Sequence, residues 1–260
     1  MANQSATTTG IEPSGHKPRP MFAPGRVFVY TVLVLTALYY LIPLYVMIIT
    51  SVKDLDAIRD GNIFIPTMHP TFEPWIKAWS QACTGLKCTG LAPGFFNSVT
   101  ITIPSVIVSI AVASLTGYSL ANWPFKSCEF FFTVLLVGSF IPYQVFLYPL
   151  VIITREMGIY STLYAVIFVH TVFGLPILTV AVILQVTGIW NDFLFGVIYA
   201  GPTNYPMTVQ LNNIVNSLQG VKEYNVDMAA TILTGLVPLT IYFLSGKYFV
   251  RGIAAGAIKG

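Results

Sequence analysis

The sequence predicts an all-α integral membrane protein with about six transmembrane helices, because apolar runs of about 20 residues recur along it. Only 9% of the residues are charged, whereas soluble domains carry about 25%, and the mean hydropathy is +0.74. Segments of alternating polar and apolar residues, which are typical of membrane β-barrels, do not recur. Since the bilayer offers no water to backbone polar groups, the spans are expected to be helices.

Polar segments separate the predicted spans and set the domain organisation. We predict cytoplasmic tails at 1–26 and 246–260, and periplasmic loops at 51–96 and 202–227. The predicted transmembrane helices TM1 to TM6 are, in order, 27–50, 97–122, 129–154, 161–179, 180–201 and 228–245. This arrangement places the cations of both tails and of the short turn at Lys126 in the cytoplasm, as the positive-inside rule favours.

The stretch 161–201 decides the span count. It contains one acid, Asp192, one histidine, His170, and neither Lys nor Arg. As one helix it would run about 60 Å, about twice the width of the hydrocarbon core, so we expect two spans that meet near Thr179 and Val180. Antiparallel helices need a connection of about 2–5 residues, yet no turn residue lies at this joint. A connecting segment is therefore expected to be missing.

Small residues recur at every fourth position of the second predicted span. They are Ser105, Ser109, Ala113, Gly117 and Ala121. Positions four apart lie on one face of a helix, and a face of small residues lets a second helix approach closely. We predict that this face packs against another span; ordinary span composition is the alternative interpretation.

Cys83 and Cys88 lie close together in the first predicted periplasmic loop. An oxidising compartment would allow them to form a small disulfide, and two free thiols are the alternative. No second pair of ligands lies near them in the sequence, so the spacing does not predict a zinc site. We expect no metal and no cofactor elsewhere in the chain.

Several segments of the chain resemble one known family. These are, in order, GYSLANWPFKS at the end of the second predicted span, IPYQVFLYPL, MGIYSTLYAVI, FGLPI, IWNDF and the C-terminal YFVRGIAAGAIKG. Together they are similar to the permease subunit of bacterial binding-protein-dependent ABC importers for carbohydrates, the maltose-type inner-membrane component. The loop segments WSQACTGLKC and PGFFNSVTITIPS most resemble its glucose/mannose-like branch.

This resemblance implies the type I ABC importer permease fold, with a permease core at 97–245, in the bacterial inner membrane. The implied partners are a second permease subunit, a dimer of ATP-binding subunits, a periplasmic sugar-binding protein and membrane lipid; no nucleic acid is expected. The chain lacks the GxxxxGKS/T phosphate loop, so ATP would be hydrolysed on the partner subunits and the chain is not expected to be an enzyme. The tail residues Arg251 and Lys259 would lie on the ATPase side.

One departure from the family pattern is as informative as the match. The resemblance implies a cytoplasmic loop between TM4 and TM5 that carries the EAA signature, a short helix that docks into the ATPase subunit and transmits its closure. Here the segment ending at Thr179 passes directly to Val180, and no EAA motif is present. We therefore expect a shortened TM4–TM5 connection and poor coupling to the ATPase.

Candidate pathway residues follow from the chemistry of sugars, which stack on aromatic rings and bond to amide and carboxylate groups. They are Tyr143, Gln144, Trp190, Asn191 and Asp192. Polar groups at membrane depth are costly and tend to face the helix bundle or a pathway. Structural roles are the alternatives: an interhelical hydrogen bond for Gln144, an interfacial position for Trp190, and capping or pairing for Asp192.

Two other functions compete with a coupled permease. An ion-coupled secondary transporter would need ionisable groups within the membrane; only Asp192 and His170 qualify, and nothing in the sequence requires them to meet. An inactive, internally deleted permease would explain the missing segment. A membrane enzyme ranks last, because the predicted spans contain no metal-ligand cluster, nucleophile elbow or paired carboxylates.

Overall fold

The computed structural model describes residues 24–84, 87–122, 127, 130, 133–134, 137, 141–174, 181–217 and 220–257. Within these residues the regular secondary structure is helical, apart from one isolated bridge between Cys83 and Cys88. The prediction of an all-α fold is therefore confirmed. The joint predicted near Thr179 and Val180 lies outside the described residues.

The chain divides into two compact units, residues 1–44 and 45–260. The first unit is described from residue 24, where helix α1 (Pro24–Ser51) begins. This apolar helix has 28 residues and contains Pro43. A proline is tolerated inside a transmembrane helix when neighbouring groups satisfy the carbonyl that it leaves free.

The second unit contains the remaining helices. In chain order they are α2 (Leu55–Arg59), α3 (Glu73–Ser80), α4 (Ala92–Asn122), a 3-10 turn (Tyr143–Phe146), α5 (Leu147–Glu156), α6 (Leu163–Gly174), α7 (Ala181–Asn191), α8 (Leu194–Tyr199), α9 (Met207–Val215) and α10 (Tyr224–Ala257). Among the described residues, three helices are long and apolar enough to cross a membrane, namely Pro24–Ser51, Ala92–Ser119 and Tyr224–Gly246. Helix α6 is apolar but shorter.

Two of the long helices begin earlier than the spans that hydropathy predicts. Helix α4 begins at Ala92 and helix α10 at Tyr224, so both extend from an apolar span into the neighbouring polar segment. The span count and the sides assigned to the loops stay predictions. The turn at Lys126, the tail before residue 24 and Lys259 lie outside the part of the chain that the structure describes.

Two prolines shape the described part of the third predicted span. Pro142 immediately precedes the 3-10 turn, and Pro149 lies in the first turn of α5. A proline in a first turn removes no helical hydrogen bond, because the N–H groups there have no partner within the helix. The chain is therefore irregular at Pro142 and continues as a regular helix from Leu147.

The small-residue face of α4 packs against α6 and α7. Ser105, Ser109 and Ala113 are buried and Gly117 is half-buried, whereas the side chain of Ala121 lies outside the described part. Ser105 Oγ donates a hydrogen bond to a carbonyl one turn earlier in α4 at 2.7 Å, and Ser109 Oγ does the same at 2.6 Å. The hydroxyls are thus satisfied within α4, and their small volume lets the helix backbones approach.

Gly174, at the end of α6, lies where α4, α6 and α7 meet. A Cβ atom at this position would lie 2.9 Å from Ser109 Cβ and would also meet the side chain of Gln185. Carbon atoms that are not bonded do not approach this closely without displacement. The three helices can therefore pack here only because residue 174 has no side chain.

We expect Gly174→Val to lower the free energy of unfolding by about 1–3 kcal/mol, because the added carbons overpack this contact. The thermal unfolding midpoint of the detergent-solubilised protein measures the effect. Gly235→Ala is the matched control, since no described atom lies within 4 Å of a Cβ built there; we expect a change below about 1 kcal/mol. Equal midpoints for the two variants would contradict the close contact.

The two polar segments predicted to be periplasmic loops lie together. The N–H of Gly94 donates a hydrogen bond to Gln210 Oε1, and the N–H of Met207 donates to Ser98 Oγ, each at 2.8 Å. These bonds join the start of α4 to α9. The segments that precede α4 and surround α9 therefore form one structural region, although they are far apart in the sequence.

Candidate substrate-pathway site

The helical geometry breaks within the fifth predicted span. Helix α7 ends at Asn191 and α8 begins at Leu194. Between them, Asp192 Oδ2 accepts hydrogen bonds from the N–H groups of Phe195 at 3.0 Å and Gly196 at 3.2 Å. A short side chain that bonds to backbone N–H groups in this way satisfies the first turn of the next helix and competes with continuation of the previous one. Asp192 therefore marks a helix junction.

His170 of α6 lies against this junction. Its Nε2 is 3.6 Å from Asp192 Oδ2, and the two side chains are 8% and 17% exposed. The backbone carbonyl of Asp192 accepts a further hydrogen bond from the hydroxyl of Thr208 at 2.6 Å. The sequence does not require His170 and Asp192 to meet, but the structure brings them together, so Asp192 both caps a helix and pairs with a histidine.

A cavity of about 350 Å³ lies beside this pair. Its lining includes the side chains of Tyr143, His170, Phe173, Gln185, Asp192 and Phe195. The rings of Phe173 and Phe195 are stacked with centroids 5.3 Å apart, and Tyr143 meets Phe195 edge-on at 5.7 Å. Apolar and aromatic walls with a few polar groups are typical of sites for small ligands.

Gln185 of α7 lines this cavity but is absent from the pathway residues that the sequence predicts. It is 5% exposed, and its Nε2 donates a hydrogen bond to Ser109 Oγ. Its Oε1 has no hydrogen-bond partner among the described residues. A signal for this residue exists in the sequence, because Gln185 is an amide inside an apolar stretch, the feature that points to Gln144.

The other predicted pathway residues lie elsewhere. Gln144 is exposed on the 3-10 turn and does not line the cavity. Trp190 is 2% exposed and its Nε1 donates a hydrogen bond to a carbonyl of α10 at 3.1 Å, while Asn191 is exposed at the end of α7. The structure thus brings Tyr143 and Asp192 together, and the pathway role of every member of the set stays a proposal.

A second cavity, of about 380 Å³, lies where the two polar segments meet. Two ion pairs line it: Lys77 Nζ is 2.6 Å from Glu223 Oε2, and Lys222 Nζ is 2.7 Å from Asp227 Oδ2. The Lys77 and Glu223 side chains are each about one-third exposed, and exposed pairs contribute little to stability. The Lys77–Glu223 pair connects α3 to the residue that precedes α10.

The two cysteines of the first polar segment are bonded. The structure joins Cys83 and Cys88 in a disulfide and places Cys83 in the lining of the second cavity. Of the two alternatives that the sequence leaves open, the structure therefore contains the disulfide rather than two free thiols.

Several known proteins are similar to this chain over most of its length. No model of a known protein family matches it. The probable ABC transporter permease protein PH1216 of Pyrococcus horikoshii is 29% identical and covers 92% of this chain and 98% of its own. The arabinooligosaccharides transport system permease protein AraQ of Halalkalibacterium halodurans is 26% identical, with 84% and 91% covered. The resemblance to ABC transporter permeases is confirmed.

A solved structure has the same fold as this chain. It is the crystal structure of a bacterial ABC transporter involved in the import of the acidic polysaccharide alginate, with a TM-score of 0.67 and 15% identity. The match covers 89% of this chain and 100% of the other. The predicted ABC importer permease fold is therefore confirmed, and the long apolar helices make the chain a multi-pass membrane protein.

Proposed function

We propose that this chain is a transmembrane permease subunit of an ATP-driven carbohydrate importer and forms half of its translocation pathway. The observation that carries the proposal is similarity over most of the chain to ABC permeases, one of them named for arabinooligosaccharide transport. The fold shared with a chain of the alginate importer supports the same function. In this proposal ATP is hydrolysed on partner subunits, and this chain is not itself an enzyme.

Tyr143 and Asp192 are the pathway residues that the geometry supports best, because both line the cavity beside the α7–α8 junction. Gln144 and Asn191 are exposed, so a contact with sugar would require that the pathway pass on their side of the helices. Trp190 has the weakest support, because its indole is buried and bonded to α10.

The proposed assembly contains a second permease subunit, a dimer of ATP-binding subunits and a periplasmic sugar-binding protein, in the bacterial inner membrane. Contact between the segments 51–96 and 202–227 supports their placement on one side of the membrane, where the binding protein would dock. The C-terminal tail with Arg251 and Lys259 would then face the ATPase subunits.

Coupling to the ATPase is proposed to be poor, because the TM4–TM5 connection lacks the EAA helix. The alignment with PH1216 extends over 281 positions, more than the 260 residues of this chain. The relative therefore contains residues that have no counterpart here. Loss of a connector after Thr179 would account for some of them, and an inactive, internally deleted permease is the extreme form of this proposal.

Co-purification tests the permease assignment. The full chain, affinity-tagged and expressed with the permease and ATPase subunits encoded beside it, is expected to retain the second permease in equal amount in mild detergent. Association between transmembrane helices depends on close packing within the membrane, so it does not require the missing connector. Recovery of this chain alone, with the second permease present in the membrane, would contradict the assignment.

One observation favours an ion-coupled transporter as a second candidate. His170 and Asp192 lie 3.6 Å apart within predicted spans, where an ionisable pair is a functional candidate by default. This candidate predicts proton-dependent sugar uptake into vesicles that contain the chain and no ATPase. Uptake that depends wholly on ATP and the binding protein would exclude it.

A further inference from the structure

A buried hydrogen-bond acceptor beside the cavity at the α7–α8 junction has no donor among the described residues. The Nε2 of Gln185 bonds to Ser109 Oγ, which holds the amide in place. The remaining amide atom, Oε1, is buried and has no partner among the described residues, and Gln185 lines the cavity. An unpaired buried acceptor destabilises its surroundings until a donor reaches it, so a ligand hydroxyl that donates to Oε1 would be stabilised here.

The other polar groups of this cavity favour a ligand without negative charge. Asp192 contributes a carboxylate, whose Oδ2 accepts hydrogen bonds from two backbone N–H groups and lies 3.6 Å from His170 Nε2. Tyr143 adds a hydroxyl that either donates or accepts. No Lys or Arg is among the described residues that line the cavity. The His170 imidazole lines the same cavity but already lies against Asp192. A ligand carboxylate would therefore lose its hydration without gaining an unpaired countercharge from the described lining.

The size of the cavity limits what it can hold. Its volume of about 350 Å³ is near the lower end of small-ligand pockets, which span about 300–1,000 Å³, and suits one sugar ring rather than an oligosaccharide. Phe173 and Phe195 supply apolar surface to the lining, while Gln185 and Asp192 supply acceptors. A sugar ring has the matching combination of C–H faces and hydroxyl donors.

We propose that this cavity binds one ring of a neutral sugar, that a sugar hydroxyl donates a hydrogen bond to Gln185 Oε1, and that Asp192 disfavours acidic sugars. This inference rests on the proposed carbohydrate permease function, to which it adds a substrate class and a specificity-determining residue. It also assigns Gln185 a role in binding the sugar.

Thiol protection tests the proposal in the full-length protein. Gly188 lines the cavity, and no described atom lies within 4 Å of a Cβ built there, so Gly188→Cys places a reactive group in the cavity without overpacking it. Cys128→Ser removes the remaining thiol of the chain, because Cys83 and Cys88 are bonded. The rate of alkylation by a water-soluble maleimide then reports access to the cavity in nanodiscs.

Glucose and galactose are expected to slow alkylation of the G188C variant about tenfold near saturation, as the occupancy factor 1 + [L]/Kd requires. Glucuronate and galacturonate, which differ from them by the carboxylate at C6, are expected to leave the rate unchanged. Gln185→Met removes the acceptor at similar volume and should abolish protection while the rate without sugar is maintained. Met157→Cys, at an exposed position outside the cavity, controls for direct effects of sugar on the reagent.

Equal alkylation of the G188C variant with and without the neutral sugars would overturn the proposal and would indicate a lipid tail or water beside Gln185. Equal protection by neutral and acidic sugars would overturn the role assigned to Asp192. If Gln185→Met does not fold, the comparison of neutral with acidic sugars in the G188C variant still tests whether the cavity binds neutral sugars selectively. The experiment needs no partner subunit, so a negative result here, with the second permease retained in co-purification, refutes the sugar site and leaves the proposed function intact.

Discussion

Insertion of an EAA-bearing connector after Thr179 is expected to raise ATP-dependent sugar uptake about tenfold or more, a typical size for coupling between two sites. Coupling requires a contact whose strength differs between the two states of the ATPase. In the proposed function, the TM4–TM5 connection is shortened and lacks the helix that, by resemblance, makes this contact. Uptake of radiolabelled glucose and arabinose by cells that express the complete importer measures the effect.

Two controls separate restored coupling from restored folding. A connector of the same length, with Gly and Ser in place of the acidic-Ala-Ala segment, tests whether length alone is sufficient, and we expect it to leave uptake at the level of the parent chain. Immunoblots of the membrane fraction measure the abundance of each chain. No rescue by the EAA-bearing connector at normal abundance would count against the proposed loss of coupling.

Asp192→Ala is expected to lower the free energy of unfolding by about 3 kcal/mol, because it leaves several polar groups without a partner at once. The N–H groups of Phe195 and Gly196 lose their acceptor, and His170 loses the carboxylate 3.6 Å away. The thermal unfolding midpoint in detergent, followed by circular dichroism, measures the loss.

Asp192→Asn is the matched control for this substitution. The asparagine keeps an oxygen that accepts from both N–H groups, and Asn and Asp cap helices about equally well, so we expect a clearly smaller loss of stability. Equal losses for the two variants would show that capping contributes nothing and that only the carboxylate charge matters. A parental midpoint for Asp192→Ala would contradict the observed junction.

Composition and the local spacing of residues are enough to predict the helical class and one packed helix face. Low charge and recurring apolar runs predict helices, because the bilayer leaves the backbone no other partner. The four-residue spacing of Ser105, Ser109 and Ala113 places them on one helix face, and the structure buries all of them. Both inferences depend on the helix period and the solvent alone, not on which elements meet.

The candidate site is only partly predictable because neighbours in sequence point in different directions. Trp190, Asn191 and Asp192 are consecutive, but successive helical residues are about 100° apart, so Trp190 packs on α10 whereas Asp192 lines the cavity. Similarly, Tyr143 lines the cavity and Gln144, the next residue of the 3-10 turn, does not. A motif identifies a segment, and the backbone then decides which member reaches the site.

Contacts between distant helices are the part that the sequence leaves open. Gln185 contacts Ser109, and His170 contacts Asp192, each from a different helix. The hydrophobic periodicity of a helix does not determine how that helix is rotated relative to its neighbour. The polar side chains themselves can be identified in the sequence, since each is an isolated polar residue within an apolar run. Their partners become known only when the helices are packed.

The most direct test of the proposed loss of coupling is whether the ATPase subunit stays bound when the full chain is purified in mild detergent with the second permease. We predict that the permease pair stays together while the ATPase is lost, because the proposed absence of the EAA helix would remove a docking contact. Firm retention of the ATPase, with hydrolysis stimulated by the sugar-loaded binding protein, would contradict the claim that the shortened TM4–TM5 connection uncouples this permease.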